Sequence, residues 1–448
     1  MSQSPSAPVF NPDFPHQWKP KLRPVRGFPT QYQGQTMLGL SDARQISERM
    51  VLAPVAAQAI LPLMNGERSV GEIVAQVGRG LTDTHLKQFI AQLDDAGLLF
   101  GPTFDAMLAQ MHKDFDSSPT LPPSSTAAIA ESLVGAKLGQ EPTQQQKDEE
   151  GPAALREAMD QWVAQTLQAD SNPVFSSLPK AVMAPHIDYP RGWMNYASVW
   201  GRMKSVERPD RIVILGTNHF GMGTGITACD KGFQTPLGTS PSDTAFIERL
   251  KARLGPDASQ RLMANRHDHE REHSIELQVA WAQHCFGTDA AGNFVPVVGV
   301  LIHDPTVKDG ESYDGKGLAL APFVEALKAA IGEAGGRTLI VASADLSHVG
   351  PMFGDKDPLS GDQEPAVSAR NRVMQHDQEM LALVAGNKPQ DLITAMAWQQ
   401  NPTRWCSIGN IIAALQVAQP SKVELLRYMA AKDQQGMGMV TSAGAVMW

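Results

Sequence analysis

Residues 182–193 read VMAPHIDYPRGW, and this stretch decides which fold we expect. It begins as an apolar run that is typical of a buried strand, and this run is followed by His186 and Asp188, two positions apart. Similar runs recur with helical periodicity between them, namely RIVILG at 211–216, FVPVVGVLI at 294–302 and TLIVASA at 338–344. Because continuous apolar runs indicate strands buried on both faces, they predict an α/β fold with a mixed, largely parallel sheet flanked by helices.

Polar side chains follow the ends of these predicted strands. They are His186 and Asp188, Asn218 and His219, His303 and Asp304, and Asp345 and His348. In open α/β sheets, functional groups collect beyond the carboxyl ends of the strands, because the loops there face one crevice. One histidine after a strand is more often a polar residue that makes a turn. Four strand ends that each carry a histidine favour a shared site.

Two further candidates lie outside the strand ends. His273 is three residues before Glu276 on a predicted helix, and we interpret His273 as an acid or base, whereas Glu276 suits the helix dipole. Cys406 precedes an apolar helical run, where unpaired N–H groups would stabilise its thiolate as a metal ligand or nucleophile. Cys229 and Cys285 have apolar and aromatic neighbours, and we expect them to be buried thiols.

The front of the chain has a different pattern. Helical periodicity dominates residues 41–110, with Thr82 as a helix cap and an apolar face that includes Leu86 and Ile90. The pattern predicts a small winged-helix-like domain over residues 1–110 with an extended N-terminal arm. The turn and helix in NGERSVGEI and the closing LDDAGLL resemble PqqD-like winged-helix domains, which hold leader peptides in peptide-modifying pathways. That resemblance implies a peptide partner.

A change of composition separates this front part from the rest. Residues 111–150 are rich in Ser, Pro, Thr and other polar residues, and such segments cannot bury enough apolar surface to offset the entropy of ordering. We therefore predict a flexible linker over 111–150, with room for one short helix, and an α/β domain over 151–448. The last two apolar runs, VELLRYMAA and MVTSAGAVMW, predict two further strands of that domain.

Charge and composition exclude several classes of function. The formal net charge is −9, and no basic stripe is present, so we expect no nucleic-acid partner and no attraction to anionic membranes. The apolar runs are too short to span a bilayer, and the first residues lack the pattern of a secretory signal. Three cysteines cannot form a disulfide framework. We therefore expect a cytoplasmic protein.

Six blocks in the second part of the chain occur in the order seen in the Memo family. They are APHIDY at 184–189, ILGTNHFG at 214–221, TPLGT at 235–239, EHSIELQ at 272–278, SADLSHVG at 343–350 and CSIGNIIAAL at 406–415. From about residue 152 onward, the chain resembles this family, including its bacterial AmmeMemoRadiSam system B members. Because the family is structurally related to class III extradiol dioxygenases, the resemblance implies a dioxygenase-like fold and a non-haem iron site.

The resemblance also implies which residues form that site. It implies a metal ion held by His186, His219 and Cys406, in a pocket that also contains the catalytic candidates His348, Asp345 and His273. In an oxygenase mechanism, His348 would be the acid–base residue. Fe(II) is the expected metal, and Cu(I) is the alternative because a thiolate is a soft ligand. Asp188 is expected to orient His186 or to line the pocket, with a role as fourth ligand as the alternative.

Three functional hypotheses follow from these residues. The first is an iron- or copper-dependent oxidoreductase of dioxygenase ancestry that acts on a small molecule, or on a peptide held by the front domain. The second is a copper- or iron-binding protein without turnover. The third is a protein- or peptide-interaction module with a degenerate pocket. Under the first two hypotheses, a peptide or a radical-SAM-type protein is the expected partner.

Overall fold

The computed structural model describes residues 8–78, 80–168, 170–357 and 359–448. The chain divides into two compact units, of which the first ends at Ser117 and the second begins at Ser118. Among the described residues, no helix is long and apolar enough to cross a membrane.

The first unit combines a small antiparallel sheet with helices. Its elements are α1 (Pro15–Trp18), β1 (Val25–Tyr32), β2 (Gln35–Asp42), β3 (Met50–Pro54), α2 (Val70–Val77), α3 (Asp83–Asp95) and α4 (Pro102–Ser117). The strands pair in the order β1-β2-β3. Thr82 caps α3 by accepting a hydrogen bond from the His85 N–H, and Leu86 and Ile90 are buried, as predicted. Strands β1, β2 and β3 were not predicted from the sequence, because β1 is largely exposed and shows no alternation of apolar and polar residues.

The second unit contains the large sheet. Its elements are β4 (Thr120–Leu121), α5 (Ser125–Leu138), α6 (Gln144–Leu167), β5 (Ala181–Ala184), α7 (Tyr189–Trp200), β6 (Arg211–Thr217), β7 (Thr227–Cys229), β8 (Gly232–Thr235), β9 (Gly238–Ser240), α8 (Thr244–Leu254), α9 (Pro256–Met263), α10 (His273–Phe286), β10 (Val297–Ile302), α11 (Leu320–Ala334), β11 (Thr338–Ser343), β12 (Asp345–Val349), α12 (Ala366–Ala385), α13 (Pro389–Gln399), α14 (Ile408–Ala418), β13 (Val423–Lys432) and β14 (Met439–Met447).

The structure differs from the flexible linker that the sequence predicted over 111–150. The end of α4, then β4, α5 and the start of α6 occupy this range. The prediction underestimated two local signals. Residues 125–138 are rich in alanine and other helix formers, and Thr143 forms a capping box with Gln146 at the start of α6. A polar composition therefore coexists here with regular structure.

The large sheet is mixed, with a parallel centre, which confirms the predicted fold class. The strands follow the order β12-β14-β5-β11-β6-β10-β7, and β13 pairs with β14. The four central strands, β5, β11, β6 and β10, are mutually parallel, whereas β14 and β7 are antiparallel to their neighbours. Every residue of β5 and β10 is buried, as the continuous apolar runs predicted.

The register of the sheet brings several strand ends to one edge. Ala184, the last residue of β5, pairs with Ser343, the last residue of β11. Thr217 at the end of β6 pairs with Ile302 at the end of β10. Helix α10 packs against the same region because Gly216 has no side chain; a Cβ there would lie 2.6 Å from the Ser274 Oγ. The loops that follow these strands and the start of α10 therefore meet at the same place.

Candidate metal centre

His186 leaves the end of β5 with its ring already oriented. The residue is 1% exposed, and its Nδ1 lies 3.1 Å from the carbonyl oxygen of Ser343. Because a carbonyl oxygen only accepts, Nδ1 carries the proton and Nε2 presents a lone pair. That Nε2 lies 3.3 Å from the Cys406 Sγ. Burial lowers the pKa of His186 well below its usual value, so the ring is held in the neutral form that ligates metals.

His219 follows β6 and is oriented by a carboxylate. Its Nδ1 lies 3.0 and 3.2 Å from the two oxygens of Glu272, and its backbone N–H donates to Glu272 Oε2 at 2.9 Å. Glu272 itself is fixed because it caps α10, accepting from the Ser274 N–H at 2.9 Å. Burial alone would lower the pKa of His219, but the Glu272 carboxylate and a hydrogen bond with Cys406 raise it well above its usual value.

Cys406 completes the group from the segment that precedes α14. Its Sγ lies 3.1 Å from the Ser407 Oγ and 3.8 Å from the carbonyl oxygen of Asp345. Ligand atoms of His186, His219 and Cys406 all lie within 4.8 Å of one another. Nitrogen and sulfur ligands at about 2.0–2.3 Å from one ion are separated by similar distances. The three side chains therefore form a candidate metal centre.

The three predicted catalytic residues surround this group. The ring of His273 stacks on that of His219, with centroids 4.9 Å apart, and meets the edge of His186 at 5.6 Å. Asp345 accepts from the His186 backbone N–H at 3.0 Å, and its second oxygen lies 3.8 Å from the His186 Nε2. Burial raises the pKa of the Asp345 carboxyl to about 7. The structure thus brings His273 and Asp345 to the candidate ligands.

His348 lies on β12, close enough to the site for the charge of His219 to affect its pKa. Its Nδ1 lies 3.0 Å from the carbonyl oxygen of Leu346, which leaves Nε2 as the acceptor nitrogen. Burial and, to a smaller extent, the positive charge of His219 lower the pKa of His348 to about 4. His348 is therefore a neutral base beside the candidate metal centre at neutral pH.

Asp188 does not join the group, contrary to the expected role beside His186. It caps α7 by accepting from the Arg191 N–H at 3.1 Å, and its carboxylate forms an ion pair with the Arg191 side chain. The chain turns into α7 at Tyr189, so the extended geometry that would keep Asp188 and His186 on one face ends there. Asp345 from β12 takes the position against His186 instead.

The Asp188→Ala variant is expected to bind as much metal as the wild type. Its free energy of unfolding should fall by about 1 kcal/mol, because α7 loses its cap. Metal analysis and urea unfolding would measure these two quantities side by side. If the variant stays folded but loses its bound metal, Asp188 is a ligand after all.

His303 and Asp304 also lie apart from the group. The His303 Nε2 lies 3.1 Å from the carbonyl oxygen of Glu311, and the Asp304 carboxylate accepts from the Thr306 N–H at 2.8 Å. Both side chains hold the loop that follows β10. The interpretation of a strand-end histidine as a residue that makes a turn therefore applies here.

The remaining cysteines differ in burial. Cys229 is fully buried on β7, as expected, whereas Cys285 is only half-buried, and its thiol donates to the carbonyl oxygen of Trp200 at 3.2 Å. Burial raises the pKa of both thiols to about 12. Both thiols therefore stay protonated at neutral pH.

The sequence analysis missed two acids that support the site. Glu272 orients His219 through its ring N–H. Asp268 anchors the chain on both sides of His219, because it accepts from the Asn218 Nδ2 and from the Gly223 N–H, both at 2.8 Å. Asp268 lies in the charged segment RHDHEREH at 266–273, and a run of charged residues usually indicates a solvated loop. That pattern is misleading here, because His269 in the same segment is buried against the carbonyl oxygen of Thr227. The sequence did offer a signal for Glu272, because this acid directly precedes the predicted site residue His273.

These features define an α/β protein with a candidate metal centre at the carboxyl end of its sheet. Residues 148–446 match the family model of the Memo-like proteins. This match covers more than half of the chain, and the protein therefore belongs to the Memo-like family.

Curated relatives are similar over different lengths. The chain is 25% identical over 390 residues to a "MEMO1 family protein" of Aquifex aeolicus, covering 86% of this chain and 87% of that protein. It is 26% identical over 259 residues to a "MEMO1 family protein" of Desulfurococcus amylolyticus, covering 57% and 77%. It is 30% identical over 173 residues to one of Thermotoga maritima, covering 38% and 54%.

Proposed function

We propose that this protein binds one transition-metal ion through His186, His219 and Cys406 and uses it in an oxidoreductase reaction. One observation carries the proposal: the three ligand atoms converge while the Nδ1 of each histidine faces an oxygen acceptor. Metal-bound histidines almost always donate their second ring N–H to a carbonyl or carboxylate, which fixes the ring. The donor set therefore fits a metal ion before one is bound.

Fe(II) is the metal that this proposal favours. Two imidazoles and one thiolate leave coordination positions open, as a non-haem iron centre that reacts with O2 and substrate requires. A bound Fe(II) would supply the one-electron chemistry that protein side chains lack. The Memo-like family membership supports the proposal, because the family is related to iron-dependent dioxygenases.

The surrounding residues would move protons and hold the substrate. Asp345, with a pKa of about 7, can release or accept a proton near neutral pH. His348 is neutral and offers its Nε2 as a base. His273, at the start of α10, stacks on His219 and would contact a substrate placed over that ring. A peptide substrate delivered by the first unit belongs to the same proposal.

The donor set also favours a second candidate function, the holding of Cu(I) without turnover. The observation behind it is Cys406, because soft thiolate ligands select Cu(I). A protein of this kind would use the same three ligands but would not need proton transfer by His348. The two functions therefore differ in what the loss of His348 does.

The His348→Ala variant of the iron-loaded protein tests the proposed reaction. We expect it to keep its iron and to consume O2 about 100-fold more slowly than the wild type, with ascorbate as the electron donor, because loss of a general base costs roughly this much. The Cys406→Ala variant serves as the blank for unbound iron. Equal rates in the variant and the wild type, or no consumption above the blank, would exclude this reaction and favour the Cu(I) function.

A further inference from the structure

Another buried carboxylate lies behind the site, on a helix that contributes none of the six site residues. Asp377 on α12 is fully buried and accepts four hydrogen bonds. Its Oδ1 accepts from the Ser347 Oγ at 2.5 Å and from the Trp405 Nε1 at 2.7 Å. Its Oδ2 accepts from the Tyr428 hydroxyl at 2.7 Å and from the Thr441 Oγ1 at 2.6 Å. Four donors match the acceptor capacity of a carboxylate.

Two of these donors are chain neighbours of site residues. Trp405 precedes Cys406, and Ser347 precedes His348. Oδ1 thus connects the segment that carries the candidate thiolate ligand with the strand that carries the candidate base. The Trp405 Nε1 also lies 3.2 Å from the Ser347 Oγ, so the two side chains and the carboxylate form one closed group.

The backbone around these residues is held in the same region. The Trp405 N–H donates to the Asn401 Oδ1 at 2.8 Å, and the Asn401 Nδ2 donates to the Trp405 carbonyl oxygen at 2.9 Å. The His348 N–H donates to the Thr403 carbonyl oxygen at 2.8 Å. With the backbone held by these bonds, the Trp405 indole N–H points at the Asp377 carboxylate, its nearer acceptor.

We propose that Asp377 is a positioning residue that fixes Cys406 through Trp405 and His348 through Ser347. This inference rests on the proposed metal-binding function. Without the carboxylate, the buried indole N–H and the Ser347 hydroxyl lose their acceptor, and both segments would shift to find another. Functional groups must be held within about 0.5 Å of the productive geometry, so a small shift of Cys406 would weaken the bond between its sulfur and a metal ion.

The Asp377→Asn variant tests this inference, with Co(II) alone as the probe. The amide keeps the size of the side chain, and its N–H₂ group can donate to the Tyr428 and Thr441 hydroxyls, but its uncharged oxygen is a weaker acceptor than the carboxylate for the indole N–H and the Ser347 hydroxyl. We expect Co(II) to bind about 10-fold more weakly than to the wild type, the low end of the range for residues that orient ligands. We also expect the thiolate-to-Co(II) charge-transfer band to shift or weaken.

Two further variants separate positioning from stability. Tyr428→Phe removes one donor from Oδ2 and leaves Oδ1 with both of its donors, so it should lower the Tm but keep the affinity and the band. Trp405→Phe removes only the indole N–H that reaches Oδ1, and it should change the band as Asp377→Asn does; it replaces that variant if Asp377→Asn does not fold.

The outcomes are distinct. A wild type that binds no Co(II) through sulfur would overturn the proposed function and this inference with it. A wild type with a normal band, together with Asp377→Asn and Trp405→Phe variants that lose stability but keep the wild-type affinity and band, would overturn the inference alone. A changed band in these two variants and an unchanged band in Tyr428→Phe would support it.

Discussion

The Cys406→Ala variant is expected to lose the metal ion. The wild type, purified without oxygen and loaded with Fe(II), should hold about one ion per chain, because its three ligand atoms suit a single ion. Removal of the thiolate leaves two imidazoles, and the affinity should fall by more than the roughly 10–100-fold that loss of an outer partner costs. Metal analysis after gel filtration measures the ion content of both proteins.

The Cys285→Ala variant is the matched control for that experiment. It removes a thiol from the same unit, but this thiol bonds the Trp200 carbonyl oxygen and burial raises its pKa to about 12. It should keep the wild-type ion content. If Cys406→Ala also kept a full complement of iron, Cys406 would not be a ligand and the proposed donor set would be wrong.

The Glu272→Gln variant is expected to bind metal about 10–100-fold more weakly than the wild type. The carboxylate accepts from both the ring and the backbone N–H of His219, and from the Ser274 N–H. An amide cannot accept in all these directions, since one of its two ends is a donor. The His219 ring would then lose the partner that fixes its orientation. Titration with Fe(II) without oxygen measures the affinity.

Glu276→Gln provides the control on the same helix. Glu276 is also buried, and its carboxylate accepts from the Ser124, Ser125 and Thr126 N–H groups and from the Thr126 hydroxyl, without touching His219. This variant should have a lower free energy of unfolding, because the N–H groups at the start of α5 lose their carboxylate acceptor. It should keep the wild-type affinity for metal. Equal affinities in the Glu272→Gln variant and the wild type would show that the carboxylate does not orient a ligand.

The central sheet could be predicted from the sequence for a simple physical reason. Strands buried on both faces must be apolar throughout, so AVMA at 181–184 and VVGVLI at 297–302 are visible without knowledge of their neighbours. The rule that loops after parallel strands share an edge then placed His186 and His219 together. What the rule could not supply was the path of each loop. His303 follows a strand of the same sheet, but its loop turns it toward Glu311.

The supporting residues could not be predicted, because they depend on long-range contacts. Asp188 and Asp345 were both expected at the pocket, and only the sheet order shows that Asp345 on β12, and not Asp188 at the start of α7, faces His186. Asp377 is further removed, because its hydrogen bonds reach the site through Trp405 and Ser347. The apolar residues Val373 and Leu381, four positions before and after it, place Asp377 on the buried face of α12, but they do not show which side chains it contacts.

Most of the helical structure within residues 111–150 was not predicted, because it also depends on contacts with distant parts of the chain. Ordering entropy was weighed against local composition alone, but α5 is held from outside its own sequence by Glu276 of α10. In the same way, the exposed strand β1 is stabilised by its pairing with β2 and not by burial of its own side chains. Partners of this kind lie far away along the chain.

An anomalous-difference map of metal-loaded crystals, measured at the absorption edge of the metal, would locate the ion. We expect one peak per chain, within bonding distance of a ring nitrogen of His186, a ring nitrogen of His219 and the Cys406 Sγ. The peak should be absent from crystals of the Cys406→Ala variant. A peak at other residues, or no peak in fully loaded wild-type crystals, would show that these three side chains do not form the metal site.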